Sequence, residues 1–255
     1  LNSIIKAPSE PTSLNIAYGN LIHKVFEEIT KNQLTKEDAV LLYTTEAKKQ
    51  DLLEEDIKTL IERGEDELPL AIDEYQPILR SPGAKAEVDF SNEHLIFDGI
   101  PITGKIDHLN IDDQNKLIDI YDFKTSTISD RDKWHSKESL YIYHFQLLFY
   151  RLLLKQSKFY HDYTVRSMNL LFTKPNRRET LDHPDGKLHR LTLTEEDIAK
   201  DGLDFEDLIK AIYHQITTLD FLRPDSPLNL TNTTDATLAD IKKFCHQLID
   251  LYKNS

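Results

Sequence analysis

From Gly104 to Lys124 the chain reads GKIDHLNIDDQNKLIDIYDFK, and this stretch decides the fold. Two runs rich in β-branched and aromatic residues flank the polar cluster Asp112-Asp113-Gln114-Asn115, the pattern of two strands joined by a turn. Residues i and i+2 of a strand point to one face, so Asp122 and Lys124 project together, as do Ile118 and Ile120. With Asp112 to Asn115 as a four-residue turn, Ile111 opposes Lys116, Asp107 opposes Ile120, and Asp107 lies diagonal to Asp122. Two carboxylates and one ammonium then converge at one end of the hairpin, ~5–8 Å apart at Cβ. Carboxylates that close repel unless a cation sits between them. Mg²⁺ suits such a place, because it takes oxygen ligands and keeps several waters. Lys124 is placed to stabilise charge growing on a phosphate or to orient an attacking water. As an isolated triplet, Asp122-Phe123-Lys124 says little, since a strand end reaching water produces it as readily.

Upstream, Ala84–Phe90, His94–Phe97 and Ile100–Ile111 read as strands, with Asp98-Gly99 as a two-residue hairpin turn. Together with Lys116–Lys124 they predict an antiparallel meander. Glu87, in the first of these strands, is either a further acidic ligand or an exposed strand carboxylate. Residues Ser13 to Gly64 read as helices: Leu14, Ala17, Leu21, Ile22, Val25, Phe26 and Ile29 recur at helical spacing. Thr35 with Asp38 marks a helix start, predicting helices over Lys36–Lys49 and Leu52–Arg63. Gly64 to Pro82 reads as an acidic connection with one short helix. His23 lies near the apolar stripe of the first helix, where a lone His is more often structural than a ligand.

Downstream, Ser139–Lys155 is a strongly apolar helix on which Gln146 and Tyr150 share a face. A Gln in such company needs a partner, because burying an unpaired amide costs about 1–3 kcal/mol; a backbone group would serve. Thr164–Thr173 and Leu188–Leu193 read as strands around a polar loop, Lys174 to Gly186. A helix from Thr194 to about Leu222 and an amphipathic helix over Asp235–Tyr252 complete an α/β arrangement with a mixed sheet.

The chain has 255 residues, with 31 Lys and Arg against 44 Asp and Glu, a formal net charge of −13. Its 39% hydrophobic and 29% charged residues exclude collagen-like and disordered classes. Only 7 glycines occur, and neither GxGxxG nor GxxxxGK[ST] is present, which argues against nucleotide binding by those loops. No apolar run reaches the length of a membrane span. Leu1 to Pro11 lacks the charged-then-apolar pattern of a signal peptide. A single cysteine, Cys245, excludes an internal disulfide and a Cys-ligated iron–sulfur cluster. A reducing cytoplasm fits. The chain starts at Leu1 and Met168 is its only methionine, so it reads as a processed product or, preferably, a piece excised from a longer protein. The acidic balance argues mildly against a stand-alone nucleic-acid binder.

In chain order the features are G-x-x-x-H at Gly19–His23, an isolated Glu at Glu87, G-x-h-D at Gly104–Asp107, h-h-D-x-K-T at Ile120–Thr125, and Q-x-x-x-Y at Gln146–Tyr150. This order resembles the PD-(D/E)XK nuclease superfamily, specifically the RecB-like nuclease domains at the C-termini of bacterial helicase–nucleases. The resemblance runs by motif from about Tyr18 to Tyr150. It implies a restriction-endonuclease-like α/β core, a mixed β-sheet with an antiparallel meander flanked by helices, in a single domain over 1–255 made of a helical part (13–64), a catalytic meander and helix (84–155), and C-terminal strands and helices (164–252). It implies a Mg²⁺- or Mn²⁺-dependent deoxyribonuclease, exonuclease rather than endonuclease, acting in DNA repair or recombination beside a helicase motor. By position, His23, Glu87, Asp107, Asp122 and the Phe123 carbonyl surround the metal. Asp107, Asp122 and Lys124 carry the chemistry, and Gln146 and Tyr150 engage DNA and organise the site. Ile106 stands where many superfamily members have Pro, as is usual in this branch. The four-Cys iron–sulfur cluster of many relatives is ruled out, so the terminal helix must dock by packing. Lys124, Lys133, His135, Lys137, Lys174, Arg177 and Arg178 form either a basic path for DNA or ordinary surface charge. The alternative function is a DNA-binding or scaffolding module with vestigial cleavage. A hydrolase acting on a non-nucleic substrate has no supporting feature.

Overall fold

The computed structural model describes residues 13–129, 131–177, 186–200, 202–218 and 237–254. Arg178, much of the loop before Gly186 and the helix end expected near Leu222 fall outside these residues. The described elements are α1 (Leu14–Asn32), α2 (Lys36–Ala47), α3 (Glu54–Leu79), β1 (Ala84–Asp89), β2 (Leu95–Phe97), β3 (Ile100–Ile102), β4 (Lys105–Asp112), β5 (Leu117–Lys124), α4 (Glu138–Gln156), β6 (Thr164–Asn176), β7 (Lys187–Leu193), α5 (Glu195–Ala199), α6 (Phe205–Thr218) and α7 (Leu238–Lys253). A mixed five-stranded sheet runs in the order β1-β4-β5-β6-β7, and β2 with β3 forms a separate two-stranded sheet. The architecture is that of a restriction-endonuclease-like α/β core. The meander is therefore interrupted: β1 neighbours β4 directly, and the Asp98-Gly99 hairpin stands as a sheet of its own.

Three helix boundaries differ from the sequence reading. Helix α3 continues through Gly64, Pro69 and Pro77 instead of giving way to a connection. An interior proline costs about 3 kcal/mol. Beyond Arg63, however, α3 buries Leu68, Ala71, Ile72, Tyr75 and Leu79, and each large apolar side chain contributes about 1.5–3 kcal/mol. Burial wins over the local breakers. The helix expected over 194–222 breaks into α5 and α6. Gly202 adopts a left-handed φ of 63°, and Asp204 then accepts the Glu206 and Asp207 amides at 2.9 and 3.1 Å to start the next helix. Helix α7 begins at Leu238 behind a Thr237–Asp240 capping box, three residues later than expected.

Contacts divide the chain into two compact units. The first holds α1–α3 with most of β1 and β4, all of β5, and the facing parts of β6 and β7. Its core joins the apolar faces of the three helices to Tyr121, Phe123 and Leu171. The second holds β2, β3, α4 and the C-terminal helices. There Cys245, Leu248 and Ile249 of α7 pack with Leu203, Leu208 and Ala211, so the terminal helix docks by apolar contact.

Gly64 lets α2 approach α3. A Cβ there would lie 1.9 Å from Tyr43 Cε1. Tyr43 has no room to retreat, being fully buried with its hydroxyl donating to the Leu60 carbonyl at 2.8 Å. Gly64→Ala should destabilise by about 1–3 kcal/mol through overpacking, although Ala is the better helix former by about 1 kcal/mol. The urea midpoint reads this directly. An unchanged or higher midpoint would contradict the close approach.

Candidate active site

The β4–β5 pairing sets the geometry. Ile111 opposes Ile118 and His108 opposes Tyr121, a register two residues away from the expected one. The turn is the cause. Asp112 stays in the strand and accepts the Asn115 amide at 3.0 Å and its side-chain Nδ2 at 2.8 Å. Lys116, at φ 55°, closes the turn. An even shift preserves which face each side chain occupies. Continuing the pairing by one step sets Asp107 directly across from Asp122 rather than diagonal to it. Asp107 Oδ2 also accepts the Phe123 amide at 2.9 Å, which fixes the carboxylate against β5.

His23 reaches this strand end from α1. Its Nε2 lies 3.1 Å from the Phe123 carbonyl. A carbonyl only accepts, so Nε2 carries the proton and donates. Nδ1 is thereby turned to the carboxylates, 3.5 Å from Asp107 Oδ2 and 3.8 Å from Glu87 Oε1. Such a bond at one ring nitrogen is how a histidine is oriented to present the other to a metal. Glu87 arrives by a different device. It sits within β1 at φ 52°, a left-handed backbone that non-glycine residues seldom adopt. Strain of that kind costs about 1–3 kcal/mol and concentrates at functional sites. The alternation of β1 carries no signal for it.

Donor atoms of His23, Glu87 and Asp107 all lie within 4.8 Å of one another. Asp122 is 1% exposed, and its Oδ2 sits 2.6 Å from Lys124 Nζ. Burial, then the charge of Asp122, pushes the Asp107 carboxyl up to about 7. For His23, burial works against the charged ring, but Glu87, Asp107 and Asp122 outweigh it and raise its pKa. The cluster thus holds excess negative charge, which a proton or a cation relieves. One imidazole nitrogen among carboxylate oxygens is a donor set that a divalent cation could occupy. The Phe123 carbonyl, with one lone pair engaged by His23, has a second to offer.

Other expected residues have partners within their own unit. Gln146 and Tyr150, in the second unit, bond to each other: Nε2 donates to Oη at 2.7 Å. The amide thus has a side-chain partner. Among the cations of the supposed basic path, Lys137 pairs with Asp132 at 2.7 Å and Arg177 pairs with Asp66. His135 is tied between the Asp197 carbonyl at 3.0 Å and Lys242 at 3.2 Å. Each of these side chains has a local partner. Among the described residues, no helix is long and apolar enough to cross a membrane.

No protein of curated function matches the chain. The family model of the PD-(D/E)XK nuclease superfamily matches residues 1–223, a span that holds His23, Glu87, Asp107, Asp122 and Lys124. Members of that superfamily are in general nucleases that use divalent metals, which accords with the acidic cluster around His23. The chain belongs to the PD-(D/E)XK nuclease superfamily.

Proposed function

We propose that this chain is a Mg²⁺- or Mn²⁺-dependent deoxyribonuclease of the RecB-like branch, working as the nuclease domain of a helicase–nuclease in DNA repair or recombination. One observation carries the reading: His23 donates from Nε2 to the Phe123 carbonyl and turns Nδ1 to Asp107 and Glu87. A histidine of the first helix joined to the acidic strand ends is what the G-x-x-x-H motif of that branch calls for.

His23, Glu87, Asp107 and Asp122, with the Phe123 carbonyl, would hold the cation. A divalent ion there supplies Lewis-acid polarisation of the phosphate and makes water a stronger nucleophile at neutral pH. Asp107 keeps its orientation through the Phe123 amide. Lys124, held 2.6 Å from Asp122, is largely buried, its side chain 14% exposed. An ammonium so fixed needs little reorganisation to meet charge developing on a phosphoryl oxygen. Gln146 and Tyr150, paired through a hydrogen bond, present one preorganised polar group for DNA.

The net charge of −13 leaves little long-range attraction for DNA. That favours delivery of the strand by a motor domain in the same chain or complex; the exonucleolytic mode rests on the RecB-like resemblance alone. The test is incubation with end-labelled single- and double-stranded DNA in Mg²⁺, Mn²⁺ or chelator. Cleavage with either ion and none with chelator is expected. Binding without cleavage under every condition would replace the enzyme by a DNA-binding module.

A further inference from the structure

Arg63 of α3 is engaged on every side within the first unit. Its Nε donates to Glu67 Oε2 at 3.2 Å, Nη1 to Asn15 Oδ1 at 3.3 Å, and Nη2 to the Thr125 carbonyl at 3.2 Å. The guanidinium carbon lies 3.6 Å above the Tyr18 ring. Glu67, itself buried, also accepts the Tyr18 hydroxyl at 2.8 Å. Tyr18 is fully buried and belongs to α1, the helix that carries His23.

Holding α1 to α3 explains the contacts with Glu67 and Tyr18. It does not explain the bond to Thr125, which lies directly beyond Lys124. Three consecutive carbonyls at the end of β5 meet a side-chain donor: Phe123 meets His23 Nε2 at 3.1 Å, Lys124 meets the Thr173 hydroxyl in a long 3.5 Å contact, and Thr125 meets Arg63. A charge-assisted bond is the strongest kind available to a carbonyl. Arg63 thus anchors the chain directly C-terminal to Lys124 through a charge-assisted bond. Its planar fork serves Glu67 and Thr125 at once, which a lysine in its place would fail to do.

We propose that Arg63 is a positioning residue for cleavage: through the Thr125 carbonyl it fixes the end of β5 so that Lys124 meets the reacting phosphate. This rests on the nuclease reading above. None of the partners of Arg63 belongs to the acidic cluster, so its loss should act on rate and spare binding.

The test is a double-mutant cycle read by single-turnover cleavage, alongside Mn²⁺ and DNA dissociation constants. Arg63→Gln should slow cleavage about 10–100-fold, the usual cost of losing an outer-shell support. Both dissociation constants should stay within about twofold. In a Lys124→Ala background, adding Arg63→Gln should change the rate by less than about twofold, because an effect exerted through an absent side chain disappears. Arg63→Lys keeps charge beside Glu67 and Tyr18. It should fold if Arg63→Gln does not, and should still cleave slowly. An undiminished rate in folded Arg63 variants overturns the proposal. So does a slowing that multiplies with that of Lys124→Ala, or a loss of Mn²⁺ affinity that parallels the loss of rate. A parent protein that cleaves no DNA overturns the nuclease reading itself, a result distinct from any of these.

Discussion

Asp107→Asn should abolish cleavage and yet raise the melting temperature of the metal-free protein above pH 7. The amide keeps an oxygen for the Phe123 amide but removes a charge facing Asp122. A lost metal ligand removes several kcal/mol of transition-state stabilisation, on the order of a 10³-fold slowing or more. The stability change has a definite pH signature. Asp107 moves from its ordinary 3.8 to about 7 on folding, burial being the main cause. Between those values the folded state binds the extra proton. Stability therefore falls as pH rises from about 4 to about 7 and stays reduced above that. The substitution relieves this cost above pH 7 and gives nothing below pH 4. His23, whose pKa is also raised, has the same sign of pH dependence, its stabilisation being lost as pH rises, and part of that stabilisation goes with the Asp107 charge that attracts the ring. The net gain is thus smaller than Asp107 alone would give. Asp107→Ala is the poorer variant, since an orphaned Phe123 amide costs about 1–3 kcal/mol. Melts at pH 5 and pH 8, with single-turnover rates, check both halves. Turnover near that of the parent, or a gain larger at pH 5 than at pH 8, would contradict the assignment.

Lys124→Ala carries the second large effect. An ammonium acting chiefly on the transition state lowers the rate with little change in affinity. Removing one such donor typically costs about 10²–10³-fold. DNA affinity should fall only slightly, with the salt slope reduced by about one. The ion pair with Asp122 adds a stability consequence. Asp122 is 1% exposed, and breaking a buried pair costs about 3–5 kcal/mol. The metal-free variant should melt well below the parent, and Mg²⁺ should raise its Tm more than the parent's, because a cation returns charge beside Asp122. Single-turnover cleavage at saturating DNA is the deciding measurement. A binding defect that accounts fully for the cleavage defect would reduce Lys124 to a phosphate contact.

The hairpin that carries Asp107, Asp122 and Lys124 was legible because strand alternation survives an error in register. The true pairing is two residues from the expected one, and an even shift leaves every face unchanged. Helix starts at Thr35 and Thr194 were legible because a capping residue acts over three residues of local chain. What stayed hidden depended on distant contacts. Pro69 and Pro77 read locally as breakers, whereas Tyr75, bonded through its hydroxyl to the Phe172 and His189 carbonyls, holds α3 against strands a hundred residues away. Arg63 and Thr125 meet across 62 positions, with no local pattern to announce them. The resemblance marks Glu87 as a further acidic ligand, but its left-handed backbone was hidden, because side-chain type does not reveal the sign of φ. His23 was informative only jointly, through its place in the motif order, since a histidine on an apolar stripe is ambiguous alone; the structure sets it between Phe123 and Asp107.

Crystals soaked in Mn²⁺ and measured at the manganese absorption edge test the central claim most directly. The account predicts an anomalous difference peak in contact with His23, Glu87 and Asp107, and its loss in Asp107→Asn crystals treated alike. A peak elsewhere on the molecule, or one that persists at this cluster without the Asp107 carboxylate, would contradict it.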